Sequence, residues 1–186
     1  MSAGDSKLIG YLADHDHITP FFHPQVRLRL KMPIYVAREW FRHTVGFARN
    51  EVSRRYVDTA PECYVPTAGW VRERDVNKKQ GSKATAISGE EAWISAIQKH
   101  SDDSLKLYAD MLAANVAPEV ARGVLPQSMY TEFIETGSLY AYARLCRLRC
   151  DPQAQREIQV YAEALSAELE WRFPVSWAAL KKEWTP

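Results

Sequence analysis

A strict alternation of apolar and polar residues marks the first clear element of the chain. In the stretch QVRLRLKM, residues 25–32, the apolar side chains of Val26, Leu28, Leu30 and Met32 occupy every second position, separated by polar or cationic side chains. A period of two places the two sets on opposite faces of an extended segment, so that one face is buried and the other meets water. The pattern therefore predicts a half-buried β-strand over residues 25–32.

Apolar residues recur at helical spacing over most of the remaining chain. Proline, glycine and N-capping side chains set the expected ends of these helices. The predicted helices cover residues 5–17 (capped by Asp5 or Ser6), 33–43 (with Pro33 in the first turn), 89–115 (with a break near Ser101 left open), 118–125, 138–150 and 152–173, and Pro174 ends the last of them before a closing segment over residues 175–184.

The other segments are short or have no clear period. Residues 18–24 contain two prolines and are predicted to form a loop. Residues 44–89 show little periodicity, which predicts a long, functional loop region. Residues 127–136, QSMYTEFIET, are a candidate for a second strand. Together these elements predict an α+β fold: a single helix-rich domain over residues 1–186 with a small antiparallel or mixed sheet.

Composition narrows the classes of function that the chain can have. With 186 residues, 46% of them hydrophobic and 25% charged, the chain is long enough for one sizeable core. A net charge of +1 argues against a nucleic-acid partner. No apolar run approaches the roughly 20 residues of a membrane span, and three cysteines do not suggest a disulfide framework. We therefore expect a cytoplasmic protein that binds no membrane.

Arginine is concentrated in one short segment of the chain. Of the 24 basic residues 15 are arginines, and five of these lie between Arg38 and Arg55. Charges among buried apolar side chains must be paired or liganded, and the planar guanidinium suits phosphate and carboxylate. An anionic ligand such as a phosphate or a nucleotide would explain the cluster, whereas a solvated helix with surface ion pairs is the alternative. The apolar residues of the segment that are expected to be buried are Trp40, Phe41, Val45 and Phe47.

Histidine and cysteine offer weaker candidates for a functional site. His15, His17 and His23 lie close in sequence, but no cysteine or carboxylate accompanies them at the spacing of metal ligands, so structural roles are favoured over a metal site. Cys146 and Cys150 share the face of a predicted helix, where packing in the core is favoured over redox or metal chemistry. The chain contains no glycine-rich phosphate loop and no dinucleotide fingerprint.

Five blocks of sequence lie in a recognisable order within residues 7–165. They are HDHITPFFH, MPIYVAREWFRH, WFRHTVGFARNEVSRRY, PEVARGVLPQSMYTEF and LRCDPQAQREIQ. In this order they resemble the flavin-dependent thymidylate synthases, whose signature is an Arg-His-Arg followed, after seven residues, by a serine. The segments KKQGS and TGSLYAYARLCRLRC look like those of a subclass found in cyanobacteria and phages.

This resemblance implies an activity and an assembly. Enzymes of the family make dTMP from dUMP, take the one-carbon unit from methylenetetrahydrofolate, and use FAD that NADPH reduces. They are homotetramers in which several subunits build each active site. The chain is therefore expected to bind dUMP and a folate as a homotetramer, in the cytoplasm of the host if a phage encodes it, and to lack the N-terminal strand and helix of the family.

The resemblance also implies roles for individual positions. Arg149 matches the arginine that binds the uracil ring and stabilises its ionised form, and is the expected catalytic residue. Ser53 is interpreted as a ligand of dUMP rather than as a nucleophile, because hydride from the flavin makes a protein nucleophile unnecessary. The expected dUMP site comprises Glu39, Arg42, Glu51, Ser53, Arg54, Arg55, Arg122 and Arg149; the expected FAD and folate site comprises His17, Thr19, Arg42, His43, Thr44, Glu51, Ser138, Tyr140 and Arg144; and no metal is expected.

Several positions differ from the pattern of the family. Thr44 replaces the last residue of Arg-His-Arg, and the spacing from there to Ser53 is one residue longer. Ser138 and Tyr140 replace an asparagine and an arginine that contact the flavin, and Arg144 replaces the next asparagine on the flavin side. Recognition of dUMP is therefore better supported than recognition of flavin. Two alternatives stay open: a dUMP hydroxymethylase, which needs no final reduction, and a non-catalytic nucleotide-binding homologue.

Overall fold

The computed structural model describes residues 2–57, 59–77 and 81–182. The strands form a three-stranded sheet in the order β1-β5-β2 and a two-stranded sheet of β3 and β4, so the predicted α+β, helix-rich fold with a small sheet is confirmed. The elements are α1 (Ala3–Asp14), β1 (Gln25–Pro33), α2 (Ile34–Trp40), β2 (Phe47–Glu51), β3 (Arg72–Arg74), β4 (Ser82–Ala86), α3 (Glu90–Ala113), α4 (Pro118–Ala121), β5 (Tyr130–Ser138), α5 (Leu139–Arg149), α6 (Arg156–Arg172) and α7 (Pro174–Lys181), with 3-10 helices at Thr19–Phe22 and Arg122–Val124.

Helix α1 begins at a capping box that the sequence-based prediction placed wrongly. The Ser2 hydroxyl accepts a hydrogen bond from the Asp5 amide at 3.2 Å, and the Asp5 carboxylate accepts one from the Ser2 amide at 2.8 Å. The cap is therefore Ser2 and not Asp5 or Ser6, because Asp5 is the third helical residue of a reciprocal box. These hydrogen bonds hold the pKa of Asp5 below its ordinary value.

The strand predicted from alternation is confirmed, but the helix after it is shorter than predicted. Side chains alternate between exposed and half-buried along β1 until Met32, which is fully buried. Pro33 is the last residue of the strand rather than the first turn of the helix, and α2 ends at Trp40 instead of residue 43. Glu39 is therefore a residue of α2, whereas His43 follows the end of this helix.

The segment 44–89, predicted to be a loop, contains three short strands. Strands of three to five residues are too short to show a clear period in the sequence. Strands β3 and β4 pair antiparallel, with Arg72 opposite Ala86 and an irregular register towards Arg74. The Arg72 guanidinium donates to the Ser82 hydroxyl at 2.6 Å. The part of the KKQGS motif at residues 78–80 lies outside the described residues.

The second half of the chain follows the predicted order with shifted boundaries. Helix α3 is continuous through Ser101, so the break left open there is absent. Strand β5 starts and ends later than the candidate over 127–136, at Tyr130–Ser138. Helix α6 starts at Arg156 and not at residue 152, because a turn occupies residues 151–154. Pro174 opens α7, and residues 183–186 lie outside the described residues.

The chain divides into two compact units, each assembled from separate segments. Unit 1 comprises Met1–Leu28, Phe41–Arg49 and Ile134–Pro186, and unit 2 comprises Arg29–Trp40 and Asn50–Phe133. The single domain predicted from the sequence stays a prediction.

In unit 1, helices α5, α6 and α7 pack together, and α1 lies against α7. The Trp177 indole N–H donates to the buried Ser166 hydroxyl at 3.2 Å. Lys182 and Asp14 form an ion pair at 3.1 Å between the two ends of the unit. The principal buried apolar residues of its helices are Leu139, Tyr142, Leu145, Cys146, Ile158, Ala162, Leu165, Leu169, Trp177 and Leu180.

Unit 2 has a smaller apolar centre between α2, the end of β1 and the start of β5. Its buried residues are Met32, Val36, Ala37, Trp40, Tyr108, Ala121, Met129 and Phe133. Two backbone hydrogen bonds anchor the start of α2: the Ile34 amide donates to the Met129 carbonyl at 2.9 Å, and the Tyr35 amide to the Gln127 carbonyl at 3.1 Å. Within the described ranges, no helix combines the length and apolar character that crossing a membrane requires.

Candidate functional site

Unit 2 contains a cavity of about 700 Å³ that several of the predicted nucleotide-binding residues line. Glu51 and Ser53 lie at and just beyond the end of β2, Arg54 belongs to the following turn, and Arg122 opens the 3-10 helix after α4. A volume of this size suits a small-molecule ligand. Further lining side chains are Arg29, Lys31, Val57, Thr59, Glu62, Glu119, Tyr130, Thr131 and Glu132.

Most charges along this cavity already have partners. Arg29 and Glu132 form an ion pair at 2.6 Å, and Lys31 forms one with Glu62 at 2.8 Å. The Glu62 hydrogen bond raises the pKa of Lys31, so this ammonium stays charged at neutral pH. Lys31 also lies 5.1 Å above the centre of the Tyr130 ring. These pairs fix the walls of the cavity and leave little net charge on them.

Other cations of the cavity are better placed to meet an anion. Arg122 is exposed, and its guanidinium has no hydrogen-bond or ion-pair partner among the residues that the structure describes. Arg54 donates to the Thr59 carbonyl, which holds its guanidinium against the cavity wall. The Ser53 hydroxyl accepts a long 3.4 Å hydrogen bond from the Arg55 amide. Ser53, Arg54 and Arg122 thus bring a hydroxyl and two guanidinium groups to one cavity.

Four of the predicted dUMP residues do not line the cavity: Glu39, Arg42, Arg55 and Arg149. Arg55 is exposed and its guanidinium stacks 5.1 Å above the centre of the Tyr56 ring. Glu39 is half-buried on α2. Glu51 does line it, and its carboxylate accepts a 2.6 Å hydrogen bond from the Thr131 hydroxyl. No histidine lines the cavity, so none of its lining groups is an imidazole base for Ser53.

Unit 1 carries a second cluster, in which Arg149 meets His43. The Arg149 Nε–H donates to His43 Nε2 at 2.9 Å. Burial, together with the positive charges of Arg149, Arg49 and Arg144, lowers the pKa of His43 to about 4. The imidazole is therefore neutral at pH 7. Because Nε2 accepts from Arg149, the ring proton must lie on Nδ1.

This neutral histidine makes the stability of the fold depend on pH. The pKa of His43 falls from an ordinary 6.5 in the unfolded chain to about 4 in the folded protein. Between these values the unfolded chain binds a proton that the folded protein rejects, so this contribution to the free energy of unfolding is complete above about pH 6.5 and is lost as pH falls towards 4. Urea unfolding at a series of pH values should show this loss.

The matched variant for that measurement is His43→Gln. Glutamine keeps an acceptor for Arg149 and cannot titrate in this range. The difference in free energy of unfolding between the parent protein and His43→Gln should therefore change between pH 6.5 and 4. A difference that stays constant over this range would contradict a neutral, buried His43.

A buried ion pair close to His43 was missed by the sequence-based reasoning. Arg49 and Glu135 are hydrogen-bonded, and the Glu135 side chain is fully buried. The Arg49 guanidinium carbon lies 5.3 Å from the centre of the Phe41 ring and 4.8 Å from that of Phe47. The sequence did carry a signal for this pair. Glu135 lies two residues after Phe133 and four after Thr131, so it shares their buried face of β5. A carboxylate on a buried face must be paired, which predicts a cation next to it.

The apolar residues around the arginine segment divide between buried and exposed. Trp40 is fully buried and Phe41 and Phe47 are half-buried. Val45 is 69% exposed, so its predicted burial was wrong. The reason is that residues 44–46 form an exposed turn rather than a continuation of α2, and Gly46 takes a φ of 84° there.

The predicted flavin-side residues of α5 have structural contacts of their own. The Ser138 hydroxyl caps α5 by accepting a 3.2 Å hydrogen bond from the Ala141 amide. The Tyr140 ring meets the edge of Phe22 with 5.4 Å between ring centres. Tyr140 and Arg144 line a small cavity of about 40 Å³ in unit 1, together with Asp16, Ile18 and Arg147.

The remaining predicted cofactor residues of unit 1 lie near the surface. His17 stacks on Tyr11 with 6.3 Å between ring centres, and Thr19 is the first residue of a 3-10 helix. Arg42 and Thr44 are exposed in the turn after α2. Arg42 and Thr44 are the sequence neighbours of His43 in this turn. Among the described residues, neither side chain forms a hydrogen bond with Arg149.

The two cysteines of α5 differ in their surroundings. Cys146 is fully buried and its thiol lies 3.7 Å from the Ala162 carbonyl, and burial raises its pKa. Cys150 caps the end of α5, and a hydrogen bond from Cys146 lowers its pKa. Cys146 is thus a core residue, as the sequence indicated.

A cavity that presents guanidinium and hydroxyl groups, in a small α+β protein, defines a candidate binding site for an anionic metabolite. The family described as thymidylate synthase complementing protein matches residues 2–175. The chain is 39% identical over 181 residues to the flavin-dependent thymidylate synthase of Thermosipho africanus, covering 96% of this chain and 77% of that relative. It therefore belongs to the flavin-dependent thymidylate synthase family.

Two further comparisons agree with this membership. The flavin-dependent thymidylate synthase of Thermus thermophilus is 38% identical over 178 residues, and the match covers 96% of this chain but only 64% of that relative. The chain thus spans slightly less than two thirds of the length of this relative. A crystal structure of the UMP/dUMP methylase PolB from Streptomyces cacaoi, bound with 5-Br dUMP, superposes with a TM-score of 0.86 at 26% identity, covering 97% of this chain and 81% of that one.

Proposed function

We propose that this protein methylates dUMP to dTMP, with methylenetetrahydrofolate as the carbon donor and NADPH-reduced FAD as the hydride source. The observation that carries this proposal is the cavity of unit 2, which gathers Ser53, Arg54 and Arg122. All three are positions that the resemblance assigns to dUMP. Family membership supports the reaction, and the PolB crystal structures, which hold 5-bromo derivatives of dUMP and UMP, support a pyrimidine nucleotide as the substrate.

The charges of the cavity suit the phosphate of such a nucleotide. A phosphate monoester near neutral pH is a dianion with several acceptor oxygens. Guanidinium groups bind it in a bidentate manner, and the Ser53 hydroxyl can donate one further hydrogen bond. Three carboxylates of the cavity, those of Glu132, Glu62 and Glu51, are already paired with Arg29, Lys31 and Thr131, so they repel the phosphate less than free carboxylates would.

We assign to Arg149 the stabilisation of negative charge on the uracil ring. Negative charge develops on the pyrimidine when its C5 is activated, and a fixed guanidinium stabilises that charge without reorganising during the reaction. The hydrogen bond to neutral His43 fixes the Arg149 guanidinium at its Nε while leaving the full positive charge on it. A protonated histidine in this place would instead repel the arginine.

The residues of unit 1 fit the anionic part of a flavin nucleotide. Arg144 and Arg147 offer guanidinium groups beside the Tyr140 ring, a donor set suited to phosphate and to ring stacking. When bound, FAD supplies hydride transfer, a chemistry that protein side chains lack. The role of this chain in unit 1 is to hold and orient the nucleotide, and we infer a cytoplasmic homotetramer that completes the sites.

The experiment that tests the proposal measures three properties of the purified protein. Addition of FAD should give a bound yellow flavin spectrum that changes with dUMP. Incubation with NADPH, methylenetetrahydrofolate and 5-tritiated dUMP should release tritium. The product should have the mass of dTMP, since a hydroxymethyl adduct would be heavier by one oxygen. A protein that binds no flavin and releases no tritium would refute the proposal.

Substituting Arg122 should weaken nucleotide binding through the phosphate alone. Loss of a hydrogen bond to a charged group costs a factor of about 10 to 100 in affinity, so Arg122→Ala should raise the dissociation constant for dUMP by about that factor. Isothermal titration calorimetry measures it. Binding of deoxyuridine, which has no phosphate, should stay unchanged.

The matched control is Arg74→Ala, because Arg74 is an exposed arginine of β3 that does not line the cavity. Its dUMP affinity should equal that of the parent protein. An equal loss of dUMP affinity in both variants would mean that Arg122 acts only through long-range electrostatic attraction and not through a contact with the phosphate.

A further inference from the structure

The buried pair of Arg49 and Glu135 is not explained by stability. Glu135 is 0% exposed and the Arg49 side chain 15% exposed, so both charges have lost most of their water. Replacing a buried ion pair with apolar residues of similar volume is often neutral or stabilising. One amino group of the Arg49 guanidinium, Nη2, is buried and has no hydrogen-bond partner among the described residues. A costly and incompletely satisfied pair points to a role other than holding the fold together.

The pair fixes the segment that carries His43. Arg49 lies over the rings of Phe41 and Phe47, which are the two aromatic residues of the segment 41–49. Its partner Glu135 belongs to β5, so the ion pair ties this segment to that strand. The Phe47 ring in turn meets the edge of Tyr142 on α5, with 5.0 Å between ring centres. His43 therefore lies within a segment that is held at both of its ends.

Two details of the packing show that this arrangement is tight. A Cβ atom at Gly137 would lie 2.6 Å from the Phe47 ring, so only glycine admits the ring at this distance. Burial, together with the negative charge of the neighbouring Glu135, raises the pKa of the Tyr142 phenol and keeps it neutral. Tyr142 therefore adds no second charge beside the pair of Glu135 and Arg49.

The position of Arg49 also bears on the charge of His43. The cations that face this imidazole are Arg149 and Arg144 from α5 and Arg49 from β2, and together with burial they disfavour its protonation. Arg149 is itself the donor to His43, and Arg144 is exposed. The Arg49 side chain is only 15% exposed and is held by the Glu135 carboxylate, so its charge is fixed in place.

We propose that Arg49 and Glu135 form a positioning pair, which fixes His43 as the neutral hydrogen-bond acceptor that orients Arg149 towards the uracil ring. This inference rests on the proposed function for the reaction, but the orientation of His43 can be measured without turnover. Neither residue touches the reacting atoms. They act through the segment 41–49 and through the electrostatic field at the imidazole.

The test uses a double variant so that no buried charge is left alone. Arg49→Met with Glu135→Leu removes both charges and keeps the volumes similar, whereas Arg49→Lys keeps the charge and serves as the conservative variant. The pKa of His43 is read from NMR titration of its ring nitrogens in the full chain. In the double variant it should rise towards the ordinary value, and in Arg49→Lys it should stay low.

Activity gives the second measurement. The double variant should lose about 10- to 100-fold in kcat, because small displacements of an orienting group have effects of this size, while its KM for dUMP changes less than twofold. Arg49→Lys should recover most of the kcat. The matched control is Arg172→Met with Glu168→Leu, which removes an exposed ion pair of α6. It should change neither the pKa of His43 nor kcat.

The outcomes separate this inference from the proposed function. If the parent protein does not convert dUMP, the proposed function fails, and the titration of His43 still tests the pair. A folded double variant in which His43 titrates as in the parent, and in which any measured kcat is unchanged, would overturn the positioning role. A raised pKa of His43 with a reduced kcat, both recovered by lysine, would establish it.

Discussion

Replacing Arg149 with alanine is expected to lower kcat for dTMP formation by about 100- to 1000-fold, the cost of removing one group that stabilises developing negative charge in an active site. The KM for dUMP should change much less, because this substitution leaves the proposed phosphate ligands Ser53, Arg54 and Arg122 in place. The kcat of Arg149→Lys should fall between those of the parent and of Arg149→Ala. Lysine keeps the positive charge but has neither the planar guanidinium nor the Nε–H that donates to His43. Tritium release from 5-tritiated dUMP at saturating substrate measures the effect.

The control for this substitution is an exposed arginine that belongs to neither proposed binding site. Arg172→Ala changes such an arginine at the end of α6, and its kcat should stay within a few-fold of the parent. Circular dichroism should show that both variants are folded. A kcat for Arg149→Ala close to that of the parent would show that Arg149 takes no part in the reaction, and it would not contradict the proposed nucleotide site.

The largest expected effect on stability comes from Trp177. Its side chain is fully buried among α5, α6 and α7, and its indole N–H is bonded to Ser166. Trp177→Ala should therefore lower the free energy of unfolding by about 3–5 kcal/mol, through lost burial and the cavity left behind. Trp177→Phe should cost less, because it keeps most of the volume and leaves only the Ser166 hydroxyl without its donor.

Urea unfolding followed by circular dichroism measures both variants. The matched control is Trp171→Ala, since Trp171 is 74% exposed at the end of α6 and its removal should change stability by less than about 0.5 kcal/mol. Equal losses for Trp177→Ala and Trp171→Ala would show that the core of unit 1 does not depend on this residue.

The parts of the fold that the sequence predicted are those with a strong repeating pattern. The alternation through Met32 was sufficient for β1, and helical spacing was sufficient for α3, α5 and α6. The ends were less predictable because they depend on single hydrogen bonds, such as those between Ser2 and Asp5. Strands β2, β3 and β4 were missed, since three to five residues do not make a period.

The candidate site was predictable where chemistry is carried by a motif and not where it depends on packing. Arg122 is far in sequence from the adjacent Ser53 and Arg54, and only the resemblance grouped the three before the cavity was seen. The contact of Arg149 with His43 joins residues 106 positions apart, which no local pattern predicts. Predicting the pair of Arg49 with Glu135 would have required placing the charged Glu135 on the buried face of β5, as the alternation along this strand indicates.

The division of the chain into interleaved segments has a consequence for synthesis on the ribosome. Helix α1 packs against α7, and Asp14 meets Lys182, a residue 168 positions later. At about 5–20 residues per second, α1 waits on the order of ten to thirty seconds for its partner to be made. Unit 2, from Arg29 to Phe133, is complete well before unit 1. During that interval the apolar Ile9 and Leu12 of α1, which are half-buried in the folded protein, are available to chaperones.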